Sequence, residues 1–342
     1  MKKYNFIDLF SGAGGLLRGF MDAGFVPVFS VEMWRPAIDT HIKNYPQVKL
    51  KAADIRTITN EELKAYTGKI DVIVGGPPCQ GFSTIGKRLV KDPRNELVFE
   101  FIRFVEVIRP KMFLMENVRG LLSSDGGKTK EAIENEYRAI GYNVQSKVLC
   151  AADYGVPQLR NRVFFMGVRN DISVSLEFPI ATHNRENYAT VGDAINDLLG
   201  KENEVANHVP MKHNKTVEAR IRCIKEGEGI PSEGLPEDVA HGSRCDYKDR
   251  TIKNFSHVYK RLSRFKPATT MVPGHNAFPL HPIANRSLTV REAARIQTFP
   301  DDVEFCGSRQ DQCILVGNAV PVHLARILAE HICYLLNAAE RK

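Results

Sequence analysis

The sequence lacks paired cysteines and long apolar runs, and each absence excludes a class of protein. Its seven cysteines are scattered without any Cys-x-x-Cys spacing, which argues against a disulfide framework and a structural zinc site. The ten histidines form no set with metal-ligand spacing, so we expect no metal. No stretch approaches the roughly 18 consecutive apolar residues that span a bilayer, and no signal-peptide core follows the first residues. We therefore expect a cytoplasmic protein.

The composition is that of a globular protein, with a local excess of positive charge. The 342 residues are 43% hydrophobic and 25% charged, which excludes a disordered or fibrous chain and indicates about two domains. Residues 205–275 hold 13 lysines and arginines against 8 acidic residues, so this stretch carries +5 of the net +7. A solvated surface would explain this bias, but it also fits a face that contacts phosphates.

The first 170 residues predict an α/β fold. Short apolar, β-rich runs alternate with longer mixed segments, as expected for a mostly parallel sheet with helices on both faces. The runs are residues 6–10, 26–31, 71–74 and 112–115, and one intervening helix is expected at 96–108. From about residue 170 to 278 the pattern gives way to frequent glycine and proline, which indicates a smaller irregular domain. Helical spacing returns at 287–299 and 320–336.

Polar residues follow the ends of the predicted strands, where ligands bind in parallel sheets. A glycine-rich turn, Phe10–Gly15, follows the first strand, but Leu17 stands where a dinucleotide fingerprint needs its third glycine. Glu32 ends the second strand and could accept hydrogen bonds from ribose hydroxyls. Asp54 could meet an adenine amino group, although a helix N-cap explains it nearly as well. For the glycine-rich turn by itself, a plain tight turn is the alternative. Together with Glu32 and Asp54 it indicates an adenosine-bearing ligand.

The most specific motif is Gly75-Gly76-Pro77-Pro78-Cys79 after the strand at 71–74. Two glycines and two prolines make a stiff, directed turn that would present Cys79 at the sheet edge. An inert buried cysteine rarely needs such a turn, so we interpret Cys79 as a reactive thiol. The next strand brings Glu116 to the same edge as a candidate acid. If residues 158–162 are extended, the side chains of Gln158, Arg160 and Arg162 lie on one face. We then expect all three to donate hydrogen bonds to one ligand that is rich in acceptors.

Taken in order, five motifs make the chain resemble a cytosine-5 DNA methyltransferase of the bacterial restriction-modification type. They are Asp8–Gly15, Gly76–Gln80, Glu116–Val118, Gln158-x-Arg160-x-Arg162 and Gly317–Pro321, and the segment Arg286–Pro300 also matches. The resemblance implies a Rossmann-like class I methyltransferase with three parts. These are a catalytic and cofactor-binding domain (1–170), a target-recognition domain (171–280) and a returning segment (281–342) that completes the catalytic domain.

The resemblance implies a covalent mechanism. The Cys79 thiolate would add to carbon 6 of a cytosine that has been flipped out of the duplex, while Glu116 protonates or hydrogen-bonds ring N3. Carbon 5 then takes the methyl group of S-adenosylmethionine, which leaves S-adenosylhomocysteine. Arg160 and Arg162 would favour the thiolate and hold the cytosine oxygen.

The resemblance also assigns binding residues. For the cofactor these are Phe10, Gly12, Gly14, Glu32, Met33, Asp54, Ile55, Pro78, Leu97 and Asn318, with a core role as the alternative for Met33. The candidate contacts to double-stranded DNA are Gln80, Ser83, Lys87, Arg88, Arg244, Lys248, Arg250, Arg261, Arg264 and Thr270. We expect a monomer that acts on DNA, with a cognate restriction endonuclease as a possible partner. The alternatives are a tRNA cytosine-5 methyltransferase of the same family and a catalytically silent DNA-binding module.

Overall fold

The computed structural model describes residues 3–78, 96–230, 235, 236, 239, 258–272 and 278–341. By the contacts between its residues, the chain divides into two compact units. Unit 1 comprises Met1–Cys150, Asn161–Thr182 and Val320–Lys342, and unit 2 comprises Ala151–Arg160 and His183–Ala319.

Unit 1 is built on a mostly parallel sheet, which confirms the predicted fold class. Its seven described strands are β1 (Asn5–Leu9), β2 (Val26–Glu32), β3 (Leu50–Ala52), β4 (Val72–Gly75), β5 (Met112–Val118), β6 (Tyr142–Cys150) and β8 (Asn161–Arg169). They are ordered β3-β2-β1-β4-β5-β8-β6. The pairs among β1 to β5 are parallel, whereas β8 runs antiparallel to both β5 and β6.

The strand order reverses between β1 and β4, and this reversal places the site. From β1 the chain continues outward on one side through β2 and β3, and then resumes on the other side at β4 and β5. The carboxyl ends of β1 and β4 therefore mark the edge at which open α/β sheets bind their ligands. The glycine-rich turn follows β1 and the Gly76-Pro77-Pro78 turn follows β4, so both predicted motifs lie at this edge.

The helices of unit 1 pack on the sheet through apolar faces. The helix predicted at 96–108 is confirmed as α4 (Glu96–Ile108), whose buried Phe101, Phe104 and Val105 join the core of the sheet. The other helices of this unit are α1 (Gly15–Asp22), α2 (Arg35–Asn44), α3 (Asn60–Lys64), α5 (Gly120–Ser123), α6 (Lys128–Ala139) and α11 (Val322–Glu340).

Two glycines of α1 allow α11 to approach closely. Gly15 and Gly19 are one turn apart and so lie on the same face of the helix. A Cβ on Gly15 would come within 2.1 Å of the Val320 carbonyl oxygen, and one on Gly19 within 2.5 Å of the Ala325 Cβ. The chain end after Val320 is therefore fitted against the helix that follows the glycine-rich turn.

The described part of unit 2 contains little regular structure, and buried arginines hydrogen-bond its backbone carbonyls. Its described elements are α7 (Val191–Ile195), α8 (Lys215–Arg222), α9 (Val290–Ile296), α10 (Arg309–Asn318), and the two-stranded sheet of β7 (Gln158–Leu159) and β9 (Ala268–Thr269). Fully buried Arg291 donates to the carbonyls of Ala206, Pro300 and Val303. Guanidinium groups with several donors thus satisfy carbonyls that no helix or strand pairs.

The compact units do not follow the predicted bounds of the three parts. Residues 151–160 belong to unit 2 because Gln158 and Leu159 pair with Ala268 and Thr269. Residues 281–319 also belong to unit 2, and only Val320 onward joins the sheet unit. The helix predicted over 287–299 is shorter, because Thr289 and Glu292 form a capping box that starts α9 at Val290. The functional division of the chain remains a prediction.

Among the described residues, the stretch Arg309–Glu340 is long and apolar enough by composition to cross a membrane. Of its most apolar window, 67% is buried inside the protein, as expected for core helices of a folded domain.

Candidate active site

The turn after β1 contains three residues with left-handed backbone conformation. Phe10, Gly12 and Gly14 have φ angles of 58°, 53° and 81°, a region that favours glycine. A Cβ on Gly14 would lie 2.8 Å from the Tyr45 ring, whereas one on Gly12 would meet only the Phe10 carbonyl oxygen, at 3.9 Å. Tyr45 thus closes one side of the turn, and the backbone at Gly12 stays open for a ligand to approach.

Glu32, at the end of β2, fixes this turn to the sheet. Its carboxylate accepts hydrogen bonds from the Gly12 backbone N–H at 2.8 Å and from the N–H groups of Met33 and Trp34 at 2.8 and 2.9 Å. Each carboxylate oxygen has two lone pairs, so acceptor capacity is left for a ligand hydroxyl. The predicted contact to a ribose remains a prediction.

Asp8 lies beneath the turn, and sequence reasoning gave it no role. The residue is 1% exposed on β1, and burial, followed by the charge of Glu32, raises the pKa of its carboxyl well above the ordinary value. The signal in the sequence was a single acidic residue within the apolar run Phe6–Phe10.

The remaining cofactor candidates occupy varied positions. Asp54 accepts a hydrogen bond from the Arg56 backbone N–H and caps the short 3₁₀ turn Ile55–Thr57, which confirms the N-cap interpretation. Hydrogen bonds from the Arg56 side chain hold the pKa of Asp54 below its ordinary value. Ile55 is 3% exposed and Leu97 packs partly buried on the same core. Met33 is 58% exposed, so its alternative role as a core residue is wrong. Pro78 is exposed as well.

Asn318 is exposed at the end of α10 in unit 2. Its predicted contact to the cofactor therefore concerns a residue of the other unit and remains a prediction.

Glu116 and Arg162 form an ion pair at the end of β5. The Arg162 Nε lies 3.0 Å from the Glu116 Oε1, and the two side chains are only 15% and 11% exposed. Arg162 lies at the start of β8, where it is opposite Val118 in the antiparallel pairing with β5. The fold thus pairs Glu116 with Arg162, both of them predicted catalytic residues.

The turn after β4 packs directly against Glu116. A Cβ on Gly76 would lie 3.1 Å from the Glu116 Oε2, so only glycine leaves this carboxylate its full space. Asn117 is 2% exposed, and its side-chain amide donates to the Pro77 carbonyl oxygen at 3.1 Å while its oxygen accepts from the Val118 N–H. Asn117, which we did not single out from the sequence, therefore fixes the first proline of the turn to β5. Cys79 itself lies outside the described residues.

Gln158 and Arg160 do not share a target with Arg162, contrary to the expectation of three donors aimed at one object. Gln158 donates to the Gln297 side chain at 2.9 Å, and Arg160 donates to the carbonyls of Gly317 and Asn318 at 3.0 and 3.1 Å. Strand β7 ends at Leu159, before Arg160, so the three side chains are not carried on one continuous strand. The predicted catalytic role of Arg160 is not tested by these contacts.

Three DNA candidates are described, and one of them is wrong. Arg261 is 4% exposed, and its five N–H groups all donate within unit 2, to the carbonyls of Ile221, Ile224, His281 and Ala284 and to the Asn285 side chain. It has no donor left for a phosphate or base. Arg264 pairs with Glu226 at 3.1 Å, and Thr270 donates to the Leu159 carbonyl at 2.8 Å. The other candidates lie outside the described residues: Gln80, Ser83, Lys87, Arg88, Arg244, Lys248 and Arg250.

Comparison with known proteins identifies the family. The family model for C-5 cytosine-specific DNA methylases matches residues 4–333. The chain is 39% identical to the Type II methyltransferase M1.HphI of Haemophilus parahaemolyticus, over 96% of this chain and 86% of that protein. It is 36% identical to M.DdeI of Desulfomicrobium norvegicum, over 96% and 88% of the two chains.

A solved structure gives the same assignment. An Escherichia coli prophage protein described as a candidate DNA modification methyltransferase superposes with a TM-score of 0.77 at 27% identity, covering 98% of this chain and 99% of that one. With Glu116 and Arg162 paired at the sheet edge and the family model spanning nearly every residue, the chain belongs to the C-5 cytosine-specific DNA methylases.

Proposed function

We propose that this protein transfers a methyl group from S-adenosylmethionine to carbon 5 of a flipped-out cytosine in a specific duplex DNA sequence. The family match over residues 4–333 supports the reaction. The relatives at 39% and 36% identity are Type II methyltransferases, which supports a role in protecting host DNA within a restriction-modification system.

The observation that carries the proposal is the Glu116–Arg162 pair beside Gly76. Cys79 follows Gly76 by three residues, and the Pro77 carbonyl between them is held by Asn117 at 3.1 Å. A thiol on this turn is a nucleophile for cytosine carbon 6, and the neighbouring carboxyl can deliver a proton to ring N3 as the carbon–sulfur bond forms. Electron density then moves to carbon 5. After methylation, water or a weak base takes the carbon 5 proton, the carbon–sulfur bond breaks with its electron pair leaving on the Cys79 sulfur, and the proton on ring N3 returns to Glu116.

Arg162 has two tasks in this scheme. Its guanidinium holds the Glu116 carboxyl in one orientation through the 3.0 Å contact, and its remaining donors can bind the cytosine carbonyl oxygen. The target atoms lie inside a stacked duplex, so the base has to be extruded before the thiol can reach it.

The glycine-rich turn fits an adenosyl cofactor. A residue at position 12 other than glycine would place its Cβ over the open backbone, and Gly14 admits no Cβ beside Tyr45. We assign Phe10, Gly12 and Gly14 to the methionine end and Glu32 to the ribose. Asp54 and Ile55 are assigned to the adenine, with Met33 on the adenine face, and Pro78, Leu97 and Asn318 to the surrounding wall. When bound, S-adenosylmethionine supplies a methyl group that its positive sulfonium makes electrophilic.

The partners and location follow from this activity. We propose that the protein acts as a monomer on chromosomal DNA in the cytoplasm, without a metal, and that a restriction endonuclease recognises the same site. The basic stretch 205–275 supports contact with nucleic acid, with Arg264 and Thr270 as described candidates.

Methyl transfer from labelled S-adenosylmethionine tests the proposal and separates it from the tRNA alternative. Equal amounts of duplex DNA and of bulk transfer RNA are offered, and we expect label in the DNA alone. Bisulfite mapping of the product is expected to show 5-methylcytosine at one position of a short recurring sequence. Label in the transfer RNA alone would contradict the DNA assignment, and no label in either would contradict the enzyme.

A further inference from the structure

A cluster of three buried side chains lies at the carboxyl end of α10, within unit 2. Gln158, Arg160 and Gln297 are 0%, 1% and 0% exposed. The last carbonyls of a helix have no partner within the helix, and here side chains supply the donors. Gln297 donates to the carbonyls of Val316 and Ala319 at 2.8 and 3.3 Å, and Arg160 donates to those of Gly317 and Asn318.

The same cluster also contacts both backbone polar groups of Met271, its N–H and its carbonyl. The Met271 N–H donates to the Gln158 side-chain oxygen at 3.0 Å, and the Met271 carbonyl oxygen lies 3.5 Å from the Arg160 Nη1. Gln158 in turn donates to Gln297 at 2.9 Å. Two routes of hydrogen bonds therefore run from Met271 to the end of α10, one through Arg160 and one through Gln158 and Gln297.

These routes join a residue beside a proposed DNA contact to a residue that is a proposed cofactor contact. Thr270, a candidate DNA contact, precedes Met271 and donates to the Leu159 carbonyl. Asn318, a candidate cofactor contact, has its own carbonyl bound by Arg160 at 3.1 Å. A ligand that shifts the backbone at Met271 or Gly317 must break or remake hydrogen bonds that fix the other residue. Both residues are buried, so a carbonyl that loses its donor cannot replace it with water.

We propose that Arg160, with Gln158 and Gln297, is a positioning residue that couples cofactor binding at Asn318 to DNA binding at Thr270. This inference rests on the proposed function. Each ligand is then expected to strengthen the binding of the other by the same factor, as linkage requires.

The test measures the affinity for a duplex carrying the mapped site, with and without saturating S-adenosylhomocysteine, in the wild type and in Arg160→Lys. Lysine keeps the charge but loses the fork that reaches several carbonyls at once. We expect coupling of about fivefold or more in the wild type and a factor near one in the variant. Arg291→Lys is the matched control, because Arg291 is equally buried in unit 2 and also donates to three carbonyls; its coupling should match that of the wild type.

Hydrogen exchange in the unmodified protein tests the proposal even if Arg160→Lys does not fold. S-adenosylhomocysteine alone is expected to slow exchange at the Met271 amide, which donates to Gln158. The coupling role would be overturned by a wild type that methylates DNA but shows no coupling, or by coupling in Arg160→Lys equal to that of the wild type. It would also be overturned if Arg291→Lys lost as much coupling as Arg160→Lys, or if S-adenosylhomocysteine left hydrogen exchange at the Met271 amide unchanged. Failure of the proposed function itself would show separately, as absence of methyl transfer.

Discussion

Replacing Glu116 by glutamine isolates the proton on which the proposed reaction depends. The amide has nearly the shape of the carboxyl, which matters because the carboxylate lies 3.1 Å from where a Gly76 Cβ would be. A well-placed general acid contributes about 10²- to 10⁴-fold, or roughly 3–5 kcal/mol of the barrier. We therefore expect methyl transfer by Glu116→Gln to fall by that factor.

The substitution also removes the charge that pairs with Arg162. Both side chains are mostly buried, so we expect a loss of about 1–3 kcal/mol in the free energy of unfolding. Glu134→Gln separates this loss from catalysis. Glu134 is 9% exposed, as is Glu116, and pairs with Arg138 at 3.0 Å on α6 of the same unit.

The assay combines initial rates of methyl transfer with urea unfolding of both variants. Because the Arg138 side chain is 49% exposed, we expect Glu134→Gln to lose about 1 kcal/mol or less in the free energy of unfolding, while keeping the wild-type rate. If Glu116→Gln were to methylate DNA within a few-fold of the Glu134→Gln rate, the role of Glu116 as the acid would be refuted.

Further predictions concern the cofactor turn, the packing of α1 and the response to acid. Gly14→Ala places a Cβ 2.8 Å from Tyr45 at a φ of 81°, so we expect the free energy of unfolding to fall by about 1–3 kcal/mol. Calorimetry should also show weaker binding of S-adenosylhomocysteine, and unchanged binding would contradict the assignment of this turn to the cofactor. Gly19→Ala should destabilise the protein in urea unfolding despite the higher helix propensity of alanine, because its Cβ would lie 2.5 Å from the Ala325 Cβ. Gly120→Ala should not destabilise the protein, because no atom lies within 4 Å of the Cβ that it adds. Burial lowers the pKa of His281 from 6.5 to about 4, so between these values the ring is protonated in the unfolded chain but not in the folded one. As the pH falls from 6.5 to 4, the free energy of unfolding should therefore decrease by up to about 3 kcal/mol. His281→Asn, whose amide oxygen can accept from Ile283 and Ala284 as the ring does, should lose less over that range, and an equal loss would contradict the assignment.

The sheet and its edge could be predicted from the sequence because their signals are local. The apolar runs at β1, β2, β4 and β5 and the helix at 96–108 follow from periodicity within one segment. The glycine and proline turns likewise specify their own conformations. Placing these turns at one edge needed only the general rule for parallel sheets.

The roles of the arginines could not be predicted in the same way. Arg261 lies in a basic, irregular stretch and looks like a phosphate contact in the sequence, yet its acceptors are carbonyls 20 to 40 residues away. Arg160 reaches Gly317 across 157 residues. Whether a guanidinium faces solvent or backbone depends on such distant partners, which leave no local pattern. The same holds for Asn117, whose acceptor Pro77 is 40 residues away.

The covalent bond between the protein and its substrate tests the central claim most directly. Duplex DNA carrying 5-fluorocytosine at the mapped position blocks the final loss of the carbon 5 substituent, so the sulfur adduct should persist through denaturing electrophoresis. We predict a shifted band for the unmodified protein in the presence of S-adenosylmethionine and none for Cys79→Ser. A band that survives this substitution, or its absence from a protein that methylates ordinary duplex DNA, would contradict the account.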